Sequence, residues 1–187
     1  MVKKISFIVS VTLLVVSVVQ VILILRKPSM REIPTSKEAS ESFDQKLVRA
    51  QEAHQQGESK EIRITESELN SKLQEDLEGA PAADEGPNPL RGIMVHLEGD
   101  KVEPTFVVDV KGLDLYVTLT GTLGISDHSL VFNPTGLRMG SHPIPMVLIE
   151  SKLRERFDSP DMRERMKLPE SIKDVRIENG EVVVVTQ

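Results

Sequence analysis

The stretch LDLYVTLTGTLGI, residues 113–125, alternates apolar and polar side chains without a break. Leu113, Leu115, Val117, Leu119, Gly121, Leu123 and Ile125 stand on one side, and Asp114, Tyr116, Thr118, Thr120, Thr122 and Gly124 on the other. A period of two is the signature of a strand with one covered face. Strands in globular proteins usually run about 5–6 residues, whereas this one extends roughly 43 Å and has to twist or bend to stay packed. Gly121 and Gly124 are the natural places for a bend or bulge.

The same alternation continues on both sides. Upstream, Ile93, Val95 and Leu97 alternate with Met94, His96 and Glu98, and after Gly99-Asp100 so do Val102, Pro104, Phe106, Val108 and Val110. Downstream, Ser126–Ser129 is a polar turn into Leu130 and Phe132, and the strand resumes at Leu137 and Met139 after Asn133-Pro134. A closing hairpin pairs Val175 and Ile177 with Val182 and Val184 across Glu178-Asn179-Gly180.

The helices are few. Ile62 and Ile64 make a short strand; Thr65 and Glu68 then form a capping box, and Leu69, Leu73 and Leu77 place a leucine stripe on a helix over 66–77. The acidic, proline-rich loop APAADEGPNPLRG at 80–92 follows. His142-Pro143-Ile144-Pro145 opens a second helix bearing Met146, Ile149, Leu153 and Phe157, because proline suits a first turn. Ser159-Pro160 caps a short third one with Met162 and Met166. The expectation is an α+β fold, a long antiparallel sheet covered by one or two helices. A sheet some 40 Å long exposes more apolar face than two helices of about 20 Å can bury. Either the sheet curls on itself or something else occupies the uncovered part.

The N-terminal segment is of another kind. Residues 5–25, ISFIVSVTLLVVSVVQVILIL, carry no charge and as a helix span roughly 31 Å, the depth of a bilayer's hydrocarbon core. The run is too long for a signal-peptide core and passes directly into Arg26-Lys27-Pro28, so it is expected to be an uncleaved anchor. Three regions follow: an anchor at 1–27, a polar linker or stalk at 28–60, and a domain at 61–187. Counting lysines and arginines near the span favours a cytoplasmic domain.

Composition narrows the function. There are 29 acidic against 23 basic residues, a net charge of −6, 3% aromatics and no tryptophan, which excludes the basic grooves and stacking platforms that hold nucleic acid. No cysteine is present, so thiolate catalysis is absent. His54, His96, His128 and His142 have no ligand spacing, and no metal or other cofactor is expected. Ser126-Asp127-His128-Ser129 holds triad residue types, but triads assemble from separated elements, and four adjacent residues between strands make a turn. Lys152 and Arg156, among further basic residues to Lys167, could form a headgroup-binding rim, although Glu150, Glu155, Asp158, Asp161 and Glu164 interleave with them as on a solvated helix face.

Three strings bear a family likeness: ITESELN at 64–70, GSHPIPMVLIESKL at 140–153 and LPESIKDVRIENGEVVVV at 168–185. Together they resemble the small envelope proteins of the YpmS and LmeA type. That resemblance implies a TULIP-like fold, a curved sheet wrapped around a helix, with an apolar groove for the acyl chains of phospholipid or another lipid. It also implies a domain on the outer side of a bacterial plasma membrane, against the charge count; long domains translocate largely regardless of flanking charge. The groove candidates are Leu69, Leu73, Phe106, Val108, Val110, Leu113, Leu115, Val117, Leu119, Leu123, Ile149 and Leu153. The expected function is non-enzymatic lipid binding at the membrane. The rival is a structural module with a dry core and an exposed rim that docks another envelope protein.

Overall fold

The computed structural model describes residues 2–79, 88–157 and 159–186, the side chains of residues 2–9 and 11 excepted. Along the chain run α1 (Val2–Leu25), α2 (Lys37–Gln55), β1 (Glu61–Thr65), α3 (Glu66–Gly79), β2 (Leu90–Glu98), β3 (Lys101–Val110), β4 (Leu113–Ser126), β5 (Ser129–Met139) and β6 (His142–Ile144). A 3-10 turn (Met146–Leu148), α4 (Glu150–Phe157), α5 (Pro160–Arg165), β7 (Ile172–Glu178) and β8 (Glu181–Thr186) complete it. Most of the loop expected at 80–92 lies outside the described residues, as does Asp158.

β4, 14 residues long, is the middle strand of an antiparallel sheet ordered β2-β3-β4-β5-β6. Its register sets Val110 opposite Leu113, Val108 opposite Leu115 and Phe106 opposite Val117 on one side, and Met139, Leu137 and Phe132 opposite Val117, Leu119 and Leu123 on the other. Paired residues share a face, so the odd-numbered side chains of β4 lie in one apolar surface. A bulge between Thr120 and Gly121 absorbs one residue of β5, which keeps Phe132 and Pro134 on the face that also carries Leu137 and Met139. Gly121 makes the bulge possible: a Cβ there would collide with the Asn133 carbonyl and lie 2.6 Å from the Phe132 ring. Gly124, the other expected bend, has open space around its would-be Cβ.

The strands do not form one long sheet. β1, β8 and β7 make a second, three-stranded sheet. Ile62, Ile64, Val175, Ile177, Val182 and Val184 form one core with Val95, Leu97 and Val102 of the larger sheet and Ala50 of α2. Part of the surplus apolar face is therefore covered by a sheet, whose regular row of β-branched residues matches a pleated partner better than a narrow leucine stripe does. The outer face of the small sheet is ionic: Arg63, Val183 and Arg176 form one cross-strand row, with Arg63 3.1 Å from Glu178 and Arg176 2.6 Å from Asp174.

Two further expectations are corrected. Residues 37–55 are not a stalk but a helix docked on the domain, capped by Ser36, whose Oγ accepts from Ala39 N at 3.1 Å. Small residues allow the close approach: Ala50 and Ala53 are buried, while Leu47 stays exposed. The HPIP segment starts no helix; His142–Ile144 pairs with β5, since a residue before proline is driven towards extended backbone and proline is tolerated on an edge strand. α4 is consequently only 8 residues long. As for the anchor, Val2–Leu25 is a continuous helix of 24 residues. Among the described residues no helix is long and apolar enough to cross a membrane, and of the run at 5–25 the side chains of residues 5–9 and 11 lie outside them.

The capping box forms as expected, Thr65 N donating to Glu68 Oε2 at 2.8 Å and Glu68 N to Thr65 Oγ1 at 3.3 Å. Glu68 also accepts from Ser42 Oγ at 2.6 Å and from Lys46 Nζ at 2.7 Å. Burial pushes its carboxyl up, but Lys46, Ser42 and Thr65 outweigh that and hold it down at about 2 instead of 4.5.

Two predictions follow from these contacts. Gly121→Ala should lower stability by about 1–3 kcal/mol through overpacking, and Gly124→Ala should leave it nearly unchanged, as read from urea midpoints. Because the folded pKa of Glu68 is depressed, its contribution is complete above about pH 4.5 and is lost as pH falls towards 2, on the order of 3 kcal/mol in all. Denaturant titrations between pH 7 and 2 should show that acid loss in the wild type and a shallower one in Glu68→Gln.

Candidate functional site

The apolar face of the five-stranded sheet is most deeply buried at one end. There Val95, Leu97 and Val102 are buried against the small sheet, with Leu123, Ile125, Leu130 and Phe132 packed around them. Leu119, 8% exposed, marks the limit of the dry region. Beyond it Phe106, Val108, Val110, Leu115 and Val117 are only half-buried, and Leu113 is 57% exposed. β5 ends at Met139 opposite Val117, so Leu113–Leu115 has only β3 beside it in the sheet, and β2 in turn flanks β3 as far as Leu90 opposite Val108. Arg91 contacts Asp109 at 2.5 Å, and Gly112 N donates to the same carboxylate at 2.6 Å; Arg91 first, then Gly112, holds Asp109 below the usual carboxylate range.

α1 reaches the sheet at this open end. Gly140 N donates to Tyr116 O at 2.7 Å, and Ser141 N donates to Leu23 O at 2.8 Å, which occupies a carbonyl that the end of a helix leaves without an intrahelical donor. Gly140 has φ +57°, and the Leu23 and Ile24 carbonyls fill the place of a side chain there. The contact is confined to the last turn: Val15, Val16, Val18, Val19, Val21 and Ile22 remain between 46% and 58% exposed.

The structure thus divides the twelve groove candidates. Phe106, Val108, Val110, Leu113, Leu115, Val117 and Leu119 form one contiguous patch on β3 and β4. Leu69, Leu73 and Leu123 lie at the edge of the dry core instead. Ile149 and Leu153 are half-buried before and within α4, outside the linings of the two clefts described below. Of the rim candidates, Lys152 and Arg156 are exposed, and Arg154 pairs with Glu150 at 3.0 Å in the i, i+4 manner of a solvated helix.

A cleft of about 470 Å³ escaped the sequence reading. It lies between the first half of β5, the turn before it, α4 and α5. Leu130, Phe132, Phe157, Met162 and Met166 line it half-buried, whereas Asp127, Glu150, Arg154 and Arg163 stand exposed around it. The Phe132 and Phe157 rings meet edge to face, with centroids 5.5 Å apart. The apolar periodicity marked Phe157, Met162 and Met166 as inward helix positions; nothing local in it shows that the first half of β5 lies opposite them. A smaller cleft of about 340 Å³ lies between residues 33–35, α3 and β2.

Among the described residues no group of three or more His, Asp or Glu side chains is placed to hold a metal ion. Comparison with family models, with curated proteins and with solved structures finds no match to this chain.

Proposed function

We propose that this protein is held by α1 in the plasma membrane of a bacterium, presents its domain on the extracytoplasmic side, and binds the acyl chains of a phospholipid or similar lipid along the open half of its sheet. The observation that carries this reading is the half-buried apolar patch from Phe106 to Val117, continuous on β3 and β4 with the buried Leu119 and ending at the exposed Leu113. Water against such a surface is unfavourable, and each methylene placed there contributes about 0.8 kcal/mol, so eight of them offer about 6 kcal/mol before ordering costs. The uncharged run at 5–25 and the 24-residue helix containing it support the anchor, and the resemblance to the YpmS and LmeA type supports both the TULIP-like reading of the sheet and the outward orientation. No chemical step is required of the protein.

The test is lipid content after purification of the full chain from membranes, by organic extraction and mass spectrometry. Leu115→Asp sits at a half-open position and should fold while retaining at least tenfold less lipid. Leu119→Asp buries a charge at the margin of the core and should unfold, so it serves as the control for damage to packing. A folded Leu115→Asp protein with wild-type lipid content would remove the patch from the account.

A further inference from the structure

We propose that the cleft between β5 and the α4–α5 pair takes up a short extended peptide of a partner protein, which joins the large sheet as an added strand along the free edge of β5. This goes beyond the lipid-binding reading and does not depend on it. The first support is a break in the sheet. On the side of β5 away from β4, β6 pairs with Leu137–Met139, and Lys167 forms a bridge with Ser129. Both neighbours run antiparallel to β5, and among the described residues no backbone group pairs with that side of β5 between Leu130 and Leu137. The chain leaves this row at Pro145, makes the 3-10 turn, α4 and α5, and returns to it at Met166. The row is therefore interrupted opposite Val131–Thr135, over about 17 Å. The interruption continues a pairing already made at both of its ends.

The second support is the set of backbone groups presented there. Asp127 and His128, both at positive φ, make the two-residue turn that sets Ser126 opposite Ser129. Leu130 N then donates away from β4, to Met166 O at 2.8 Å. Backbone direction alternates along a strand, so Phe132 N–H and C=O and Pro134 C=O also face away from β4. Proline is tolerated at Pro134 because the N–H it lacks would point off the edge of the sheet. An antiparallel residue opposite Phe132 exchanges two hydrogen bonds with it, and the residue opposite Pro134 donates a third. Ser129–Pro134 line the cleft consecutively, residues of both faces together, so the cleft runs along the edge of β5.

Side chains set the chemistry of the occupant. Phe132, Phe157, Met162 and Met166 line the cleft half-buried, whereas Asn133, on the opposite face of β5, is exposed. A residue opposite Phe132 shares its face and meets these apolar groups, while its two neighbours point the other way, towards water. The occupant is a segment of alternating apolar and polar residues, recognised by strand addition. A second copy of this chain fits less well, because the edge of a folded sheet brings a further strand about 4.8 Å behind the first, and α4 stands across the cleft from β5.

The experiment places the full chain in nanodiscs and selects from a phage-displayed library of short random peptides, with empty nanodiscs as the counter-selection. Selected sequences should carry apolar residues at alternate positions. The corresponding synthetic peptides should slow hydrogen exchange at the Phe132 amide at least tenfold, read by NMR. N-methylation of the peptide residue opposite Phe132 should weaken binding at least tenfold, since it removes a donor and leaves every side chain in place. Met162→Arg should abolish binding by filling the cleft; the N-methylated peptide tests the same contact on the unaltered protein, whether or not that variant folds. A library that yields no peptide bound by the chain would overturn the proposal. So would peptides whose binding survives N-methylation at every position, or that protect residues 106–119 in place of Phe132. Slower exchange at Phe132 on adding phospholipid alone, or on raising the concentration of the chain, would assign the cleft to lipid or to a second copy and overturn the peptide.

Discussion

The side-chain amide of Asn70 joins the two halves of the molecule. Its Nδ2 donates to Val95 O and its Oδ1 accepts from Val95 N, both at 2.7 Å, while Nδ2 also donates to Glu66 O at 2.7 Å. β2 is an edge strand with β3 on one side and a helix on the other, so nothing in the sheet can pair its outer backbone groups. Asn70 supplies the donor and acceptor a neighbouring strand would have offered, and Glu66 adds an acceptor 3.2 Å from Leu97 N. Left unpaired at a buried position, each such group would cost about 1–3 kcal/mol. Through this contact α3 is fixed to the large sheet, and since α3 continues directly from β1, the small sheet is positioned with it. α2 follows by the bonds of Ser42 and Lys46 to Glu68 and of Ser36 N to Ser71 Oγ at 3.0 Å.

That arrangement also explains why part of the sheet stays uncovered. α3 is committed to the edge of β2, and the small sheet to the end that holds Val95, Leu97 and Val102. α4 is too short to cross to the far end, its length curtailed when His142–Ile144 pairs with β5. What remains from Phe106 to Leu113 is half-buried or exposed, and the last turn of α1 joins the sheet near it at Gly140 and Ser141. This surface is where the proposed lipid chains would lie, and its boundary at Leu119 separates residues that hold the fold from those the proposal assigns to binding.

Much of this was legible in the sequence because it depends on local period. The alternation from Leu113 to Ile125, the capping box of Thr65 and Glu68 and the Asn179-Gly180 turn each depend on residues a few positions apart, and each appears where expected. Failure came where the partner is distant. Asn70 falls within the expected helix over 66–77, but its decisive partner is Val95, 25 positions on. Residues 37–55 looked too polar to dock, because two buried alanines and a set of hydrogen bonds to α3, not a wide apolar stripe, hold that helix. The split into two sheets was hidden because a strand's period marks a covered face and says nothing of which strand lies beside it. For the candidate site, the patch on β3 and β4 was readable, whereas the cleft, assembled from β5, α4 and α5, was not.

The most direct measurement is the native mass of the wild-type full chain, ejected intact from a membrane-mimetic particle into the mass spectrometer. The account predicts a mass increment equal to one acyl lipid per chain that survives removal of the surrounding lipid and detergent. A folded chain that emerges bare, and remains bare after incubation with phospholipid, would contradict it.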